Sequence, residues 1–204
     1  MRYAVTRFKT QAVALKELEP FVRSGWHLYR GKPFRRFGGM RSREALANWL
    51  LCAVMNSDTR AERFTFTSDP LGSDGIVYDS SAKTSYQTEH VMVPKLRASD
   101  PRSIEALIVQ ATKQKQEKGG KPYAAGKILI VFLDAGGGEW FPNRAAKLLP
   151  ATDFIEVWVV GLQSAHDGNY VYGVSKLEML VTGAPTWTIH IASTFDAWTV
   201  HRLQ

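Results

Sequence analysis

Two acids stand at the mouths of apolar runs, where a buried strand would not normally hold a charge. Asp74 precedes Gly75-Ile76-Val77-Tyr78, and Glu89 precedes His90-Val91-Met92-Val93. A single acid beside a strand is usually a turn former or a solvated strand end. Asp69, before Pro70, and Asp79, at the far end of its run, fit that description. The pair is a different matter. Two carboxylates brought close together repel by several kcal/mol at an effective dielectric of about 20. Such a pair persists when a divalent cation sits between its members, and hard oxygen ligands select magnesium or manganese. Simple geometry raises an objection. If 75–78 and 90–93 are adjacent antiparallel strands in plain register, the acids lie at opposite ends, and only a stagger, bulge or strong twist lets them meet.

The elements that must position these acids follow from apolar periodicity. Residues 11–23 read as a helix with Val13, Leu15, Leu18 and Val22 roughly on one side, disturbed by Pro20. An arginine-, glycine- and aromatic-rich stretch follows and reads mostly as loop. Ser42 can cap the next helix, in which Ala45, Leu46, Trp49, Leu50 and Ala53 recur at helical spacing. "RFTFTS" and "GIVYD" read as strands, and "SSAKTS" turns the chain back into "QTEHVMVP", which predicts a hairpin. Asp100-Pro101 starts a helix that Gly119-Gly120 stops. "KILIVFLD" is a continuous apolar run, as in a central strand covered on both faces. A short helix at "FPNRAAKLL", a buried strand at "FIEVWVVGL" and further strands around turns at Asp167-Gly168 and Gly183-Ala184-Pro185 complete the chain. The order predicts one α/β domain over residues 1–204 with a mixed central sheet flanked by helices.

Composition narrows the function. With 204 residues the chain buries enough surface to need no staple, and its single cysteine, Cys52, excludes an internal disulfide or a cysteine-rich zinc site. Cys52 lies in an apolar helical run and reads as a small buried side chain. The five histidines show no HExxH or HxH spacing, "GLQSAHDG" is no GxSxG elbow, and "DAGGGEW" lacks the Walker lysine. The N-terminus has no apolar core of signal-peptide length, and no run approaches about 18 apolar residues, so the expectation is a soluble cytoplasmic protein without a membrane partner. A net charge of +7 favours a polyanionic partner, most often nucleic acid. Arg30, Lys32, Arg35, Arg36, Arg41 and Arg43 lie among Tyr29, Phe34 and Phe37. Their guanidinium forks suit phosphates and the rings suit base stacking. A solvated basic loop with core-anchoring aromatics explains the same stretch equally well.

The arrangement of an acid, an apolar strand, a turn and Glu-x-apolar, between a helix and a lysine-bearing helix, resembles the PD-(D/E)XK nuclease superfamily. The resemblance covers roughly residues 42–160. It implies a restriction-endonuclease-like αβββαβ core with extra C-terminal strands, and a magnesium- or manganese-dependent endonuclease acting on DNA. By "GSDGIV" and "TEHV", Asp74 and Glu89 take the two metal-ligand roles, with the His90 carbonyl as a further ligand. The sharp bend of the family's sheet would bring the acids together. Val91 stands where the family's usual lysine would be, two residues after Glu89.

Some members carry that lysine on the following helix, which here holds Lys113, Lys115 and Lys118. Ile104, Ile108 and Ala111 mark the helix face toward the sheet, and Lys115 continues that stripe while Lys113 projects away. All three also suit a solvated last turn that complements the helix dipole. Gln110 and Gln114 are weaker candidates at the same mouth. Glu44 resembles the accessory acid that completes the metal shell through water, and it equally fits a solvated first-turn glutamate. Cutting both strands of a duplex takes two sites, so a homodimer is compatible with this reading. The alternatives are a non-catalytic nucleic-acid-binding module on the same fold, suggested by Val91, and a structural or interaction protein in which "TEHVMV" is ordinary sheet.

Overall fold

The computed structural model describes residues 9–31, 33–59, 61–95, 101–134, 139–178 and 183–204. The helices are α1 (Gln11–Arg23), α2 (Gly25–Arg30), α3 (Ser42–Thr59), α4 (Ile104–Ala124) and α5 (Pro142–Leu148). The strands are β1 (Phe64–Thr67), β2 (Gly75–Asp79), β3 (Thr84–Val93), β4 (Lys127–Leu133), β5 (Glu156–His166), β6 (Asn169–Leu177), β7 (Thr186–Ile191) and β8 (Trp198–Arg202). They form one mixed sheet in chain order. β3, β4 and β5 run parallel, because α4 and α5 carry the chain back between them, and the remaining neighbours are antiparallel.

The two faces have separate cores. On one, Ile130, Phe132, Trp158 and Val160 pack under α1 and α3. On the other, Leu129, Val131, Val157 and Val159 pack under α4 and α5. Strands covered on both sides explain why "KILIVFL" shows no alternation. α3 is buried almost all round, from Ala45 to Val54, and it touches strands from β1 to β8. A sheet whose two ends both reach one helix must curl about it. Trp49 of α3 meets Trp198 of β8 edge-on at 5.2 Å, and its Nε1 donates to the Gln11 carbonyl at 2.9 Å.

Several sequence expectations change in detail. The stretch read as loop contains α2 and a 3-10 turn, Arg35–Phe37. Val13 is exposed, with Ala14 taking its place in the buried stripe, and α1 continues through Pro20, which removes one helical N–H without ending the helix. Ser42 sits inside the first turn of α3. The cap is at Arg41, whose N–H donates to Glu44 Oε2 at 2.9 Å, in the manner of the reach-back half of a capping box. α4 begins at Ile104 after a Ser103 cap, breaks at Gly120 (φ 67°) and makes one more turn to Ala124. The largest change is in β3. It begins at Thr84, and its register pairs Gly75 with Thr88, so the next residues outward are Asp74 and Glu89. The acids lie opposite each other without any bend, and the register objection disappears. Among the described residues no helix is long and apolar enough to cross a membrane.

Candidate active site

Asp74 stands one residue before β2, where the sheet loses that strand but β3 continues. The His90 N–H therefore has no β2 backbone opposite it and donates to Asp74 Oδ2 at 2.7 Å. Gly75 sets the depth. A Cβ there would lie 2.6 Å from Asn48 Nδ2 of α3 and 3.0 Å from Thr88 Oγ1, so only glycine lets the strand end approach the helix this closely.

Glu89 pairs in register with Leu129 and so faces α4, while His90 pairs with Ile130 and faces α3. Facing Glu89, Lys115 bridges both acids. Its Nζ lies 3.2 Å from Asp74 Oδ2 and 3.1 Å from Glu89 Oε2. Glu89 is nearly buried and has two further partners: Lys127 Nζ at 2.7 Å from Oε1, and the Tyr123 hydroxyl, which donates to Oε2. Lys127 also lies 4.3 Å from the Tyr123 ring centroid, a cation–π contact that fixes the ring beside the carboxylate.

The electrostatics follow from burial and these contacts. Burial raises the Asp74 carboxyl, but the charge that His90 takes up in acid, the Lys115 charge and the His90 N–H outweigh it and hold it below the ordinary range. Burial lowers the Lys115 ammonium, yet Asp74, Tyr123 and Glu89 together hold it well above its usual value. Burial, reinforced by the bond to Glu89, pushes Tyr123 up to about 12, so it remains an O–H donor. Burial takes His90 down to about 4, and its ring is neutral near pH 7. Glu44 is raised by burial and by the Asp74 charge, against the Arg41 N–H that it accepts.

A cleft of about 420 Å³ opens over this point, past the end of β2. Glu44, Asp74, His90 and Lys115 line it, with Arg41, Arg43 and Lys118 at its walls. Another hollow, about 460 Å³, lies at the far ends of β3, β4 and β5 and contains none of these residues.

The sequence-predicted residues thus separate. Asp74, Glu89, Lys115, His90, Glu44 and Arg41 come together. Gln110 does not, because its amide oxygen accepts from exposed Arg102 at 2.9 Å. Gln114 is exposed, and Lys113 is exposed and pairs loosely with Glu117 at 3.9 Å. Glu44 is buried rather than solvated, because it caps α3. Arg35 and Arg36 are exposed, and Arg36 lines a neighbouring hollow of about 220 Å³ with Lys9 and Phe66. The Arg30 side chain and Lys32 lie outside the described residues. Tyr123 and Lys127 were missed. Lys127 heads an apolar strand just as the two acids head theirs, and that signal could have found it.

The donors suit a hard divalent ion in type. Asp74 and Glu89 are oxygen ligands, and the His90 carbonyl opens on the same side as its N–H, toward Asp74. Among the described residues no group of three acid, histidine or cysteine side chains could hold a metal, so water and substrate oxygens would complete the shell. Lys115 stands between the two carboxylates and would have to move aside. No protein family, curated protein or solved structure matches the chain.

Proposed function

We propose that this protein is a magnesium- or manganese-dependent nuclease that hydrolyses phosphodiester bonds of DNA, built on a restriction-endonuclease-like core. One observation carries the reading: two acids fifteen positions apart converge on a single ammonium group, Lys115 Nζ, at the edge of a cleft walled by arginine and lysine. The order helix, three strands, helix, strand over residues 42–133 supports the core. Asp74, Glu89 and the His90 carbonyl would hold the ion. When bound, a divalent ion there supplies an acidified water and a counter-charge for phosphate. Lys115, released from the acids, turns to the scissile phosphate and offsets the charge that develops in the transition state. Arg41, Arg43 and Lys118 border the path of the flanking backbone, where guanidinium and ammonium groups position phosphates without reading sequence.

A second reading, a nucleic-acid-binding module without catalysis, is favoured by the closure of the network on Glu89. Both of its oxygens already face cations, and Tyr123 donates to one of them. Incubation of the protein with plasmid, linear duplex and single-stranded DNA, in magnesium, manganese or EDTA, separates the two. The nuclease reading expects metal-dependent shortening of at least one substrate. Binding without cleavage in either metal transfers the assignment to the second reading.

A further inference from the structure

The hollow of about 220 Å³ beside the cleft lies between α1, the 3-10 turn and the edge strand β1. It is smaller than the about 300–1,000 Å³ of a drug-sized ligand site and suits a single planar ring system. Its apolar wall is a stacking surface. Phe66 of β1 is only half-buried, and its ring lies on that of Phe37, with centroids 5.4 Å apart and planes 13° apart. Gln11 lines the same hollow and is 5% exposed, yet its Nε2 has no hydrogen-bond partner among the described residues. A buried N–H of this kind calls for an acceptor. Lys9 is already paired with Glu17, so the charge offered at the rim is that of the exposed Arg36 side chain. The hollow meets the cleft along one ridge, because Gly38 and Ser68 line both. Gly38 has φ 62°, and a Cβ there would collide with Ser68 Oγ, so the turn puts no side chain on that ridge.

We propose that this hollow is a pocket for one unpaired nucleobase of the DNA strand whose backbone lies in the neighbouring cleft, so that single-stranded or flapped DNA is the substrate class and intact duplex is not. The inference rests on the nuclease reading above and deepens it. A paired base is stacked inside the duplex and cannot enter a hollow of this size, whereas an unstacked base can lie on an aromatic face. Stacking on Phe66 tolerates any base, because every base has a π-face. The Gln11 N–H finds its acceptor in a ring nitrogen or carbonyl oxygen at the base edge. Arg36 meets the phosphate beside that base, and the strand crosses the Gly38–Ser68 ridge toward Asp74 and Lys115.

The test is fluorescence anisotropy of the whole protein in EDTA, which reads binding without cleavage. The probes are single-stranded oligothymidylate, an abasic chain of the same length and charge, and a duplex. Wild type should bind the oligothymidylate at least about tenfold more tightly than the abasic chain, as expected for one base–aromatic stack. That comparison needs no variant. Phe66→Leu, which keeps apolar bulk and removes the ring, should bring the ratio toward unity while duplex affinity stays as in wild type. Gln11→Leu, which removes the donor, should lower the ratio in part. A wild-type ratio near unity, or one that Phe66→Leu leaves unchanged, overturns this inference, and metal-dependent cleavage then stands or falls on its own assay. Absence of binding to all three probes overturns this inference and the nucleic-acid readings together.

Discussion

Lys115 answers to two carboxylates at once, and its fate on metal binding is the most informative single-residue question. Replacing it with alanine should lower DNA cleavage by at least about a hundredfold, as for loss of a transition-state charge partner. Substrate affinity should change little. Lys113→Ala is the control, because its side chain is exposed and pairs only loosely, at 3.9 Å, with Glu117 on its own helix. The reverse pattern in cleavage assays would mean that the helix is phased wrongly. Asp79 offers a check on electrostatics away from the site. Arg63 Nε reaches it at 2.7 Å, the turn N–H groups of Ser81 and Ala82 also donate to it, and these contacts hold its carboxyl below the ordinary carboxylate range. A depressed folded value gives stability that is present above the unfolded value and is lost as pH falls through the folded one. Asp79→Asn should therefore melt below wild type at neutral pH, with the gap closing below about pH 4. A gap that stays constant in melting curves down to pH 3 would contradict this. Lys115 was legible because it continues the stripe of Ile108 and Ala111. Gln110, one residue before Ala111, lies about 100° round the helix and so leaves the site. Tyr123 gave no signal, because Gly119-Gly120 reads as an end, and the single turn beyond it is set by tertiary contacts.

At the scale of elements, the site is a consequence of where strands stop. β2 begins only at Gly75, whereas β3 runs on past the paired Thr88, and the His90 N–H left without a β2 partner recruits Asp74. The close approach of Gly75 to Asn48 makes this junction sensitive. Gly75→Ala should cost about 1–3 kcal/mol in urea unfolding, as overpacking does, and much of that loss should return when Asn48 is also changed to alanine. Strict additivity of the two changes would show that the contact is not the cause. The hairpin itself was evident from its turn, but the register was not. The apolar residues 90–93 drew attention to the end of β3 and away from its start, since Thr84 to Gln87 are polar and half exposed at a sheet margin. α2 was hidden for a related reason. Its six residues carry too little periodicity to outweigh the flanking glycines.

For the whole molecule, a net charge of +7 and exposed arginines near the cleft predict salt-sensitive, sequence-tolerant binding to nucleic acid. Changing Arg35 and Arg36 to alanine should weaken binding to all sequences and reduce the salt slope by about one unit per lost phosphate contact. Equal slopes for variant and wild type would return this segment to a solvated surface role. The alternation of strands and helices made the mixed α/β architecture readable in outline. The curl of the sheet around α3 was not readable, because it depends on contacts between that helix and strands more than a hundred residues away, such as Trp49 with Trp198. The central claim is that Asp74 and Glu89 share one divalent ion. Its most direct test is the magnesium-induced change in melting temperature of the wild type, Asp74→Asn and Glu89→Gln. An ion that binds only the folded state and replaces Lys115 between the acids should raise the wild-type melting temperature, and each substitution should abolish that rise while leaving the metal-free protein folded. An undiminished magnesium response in both variants would contradict the claim.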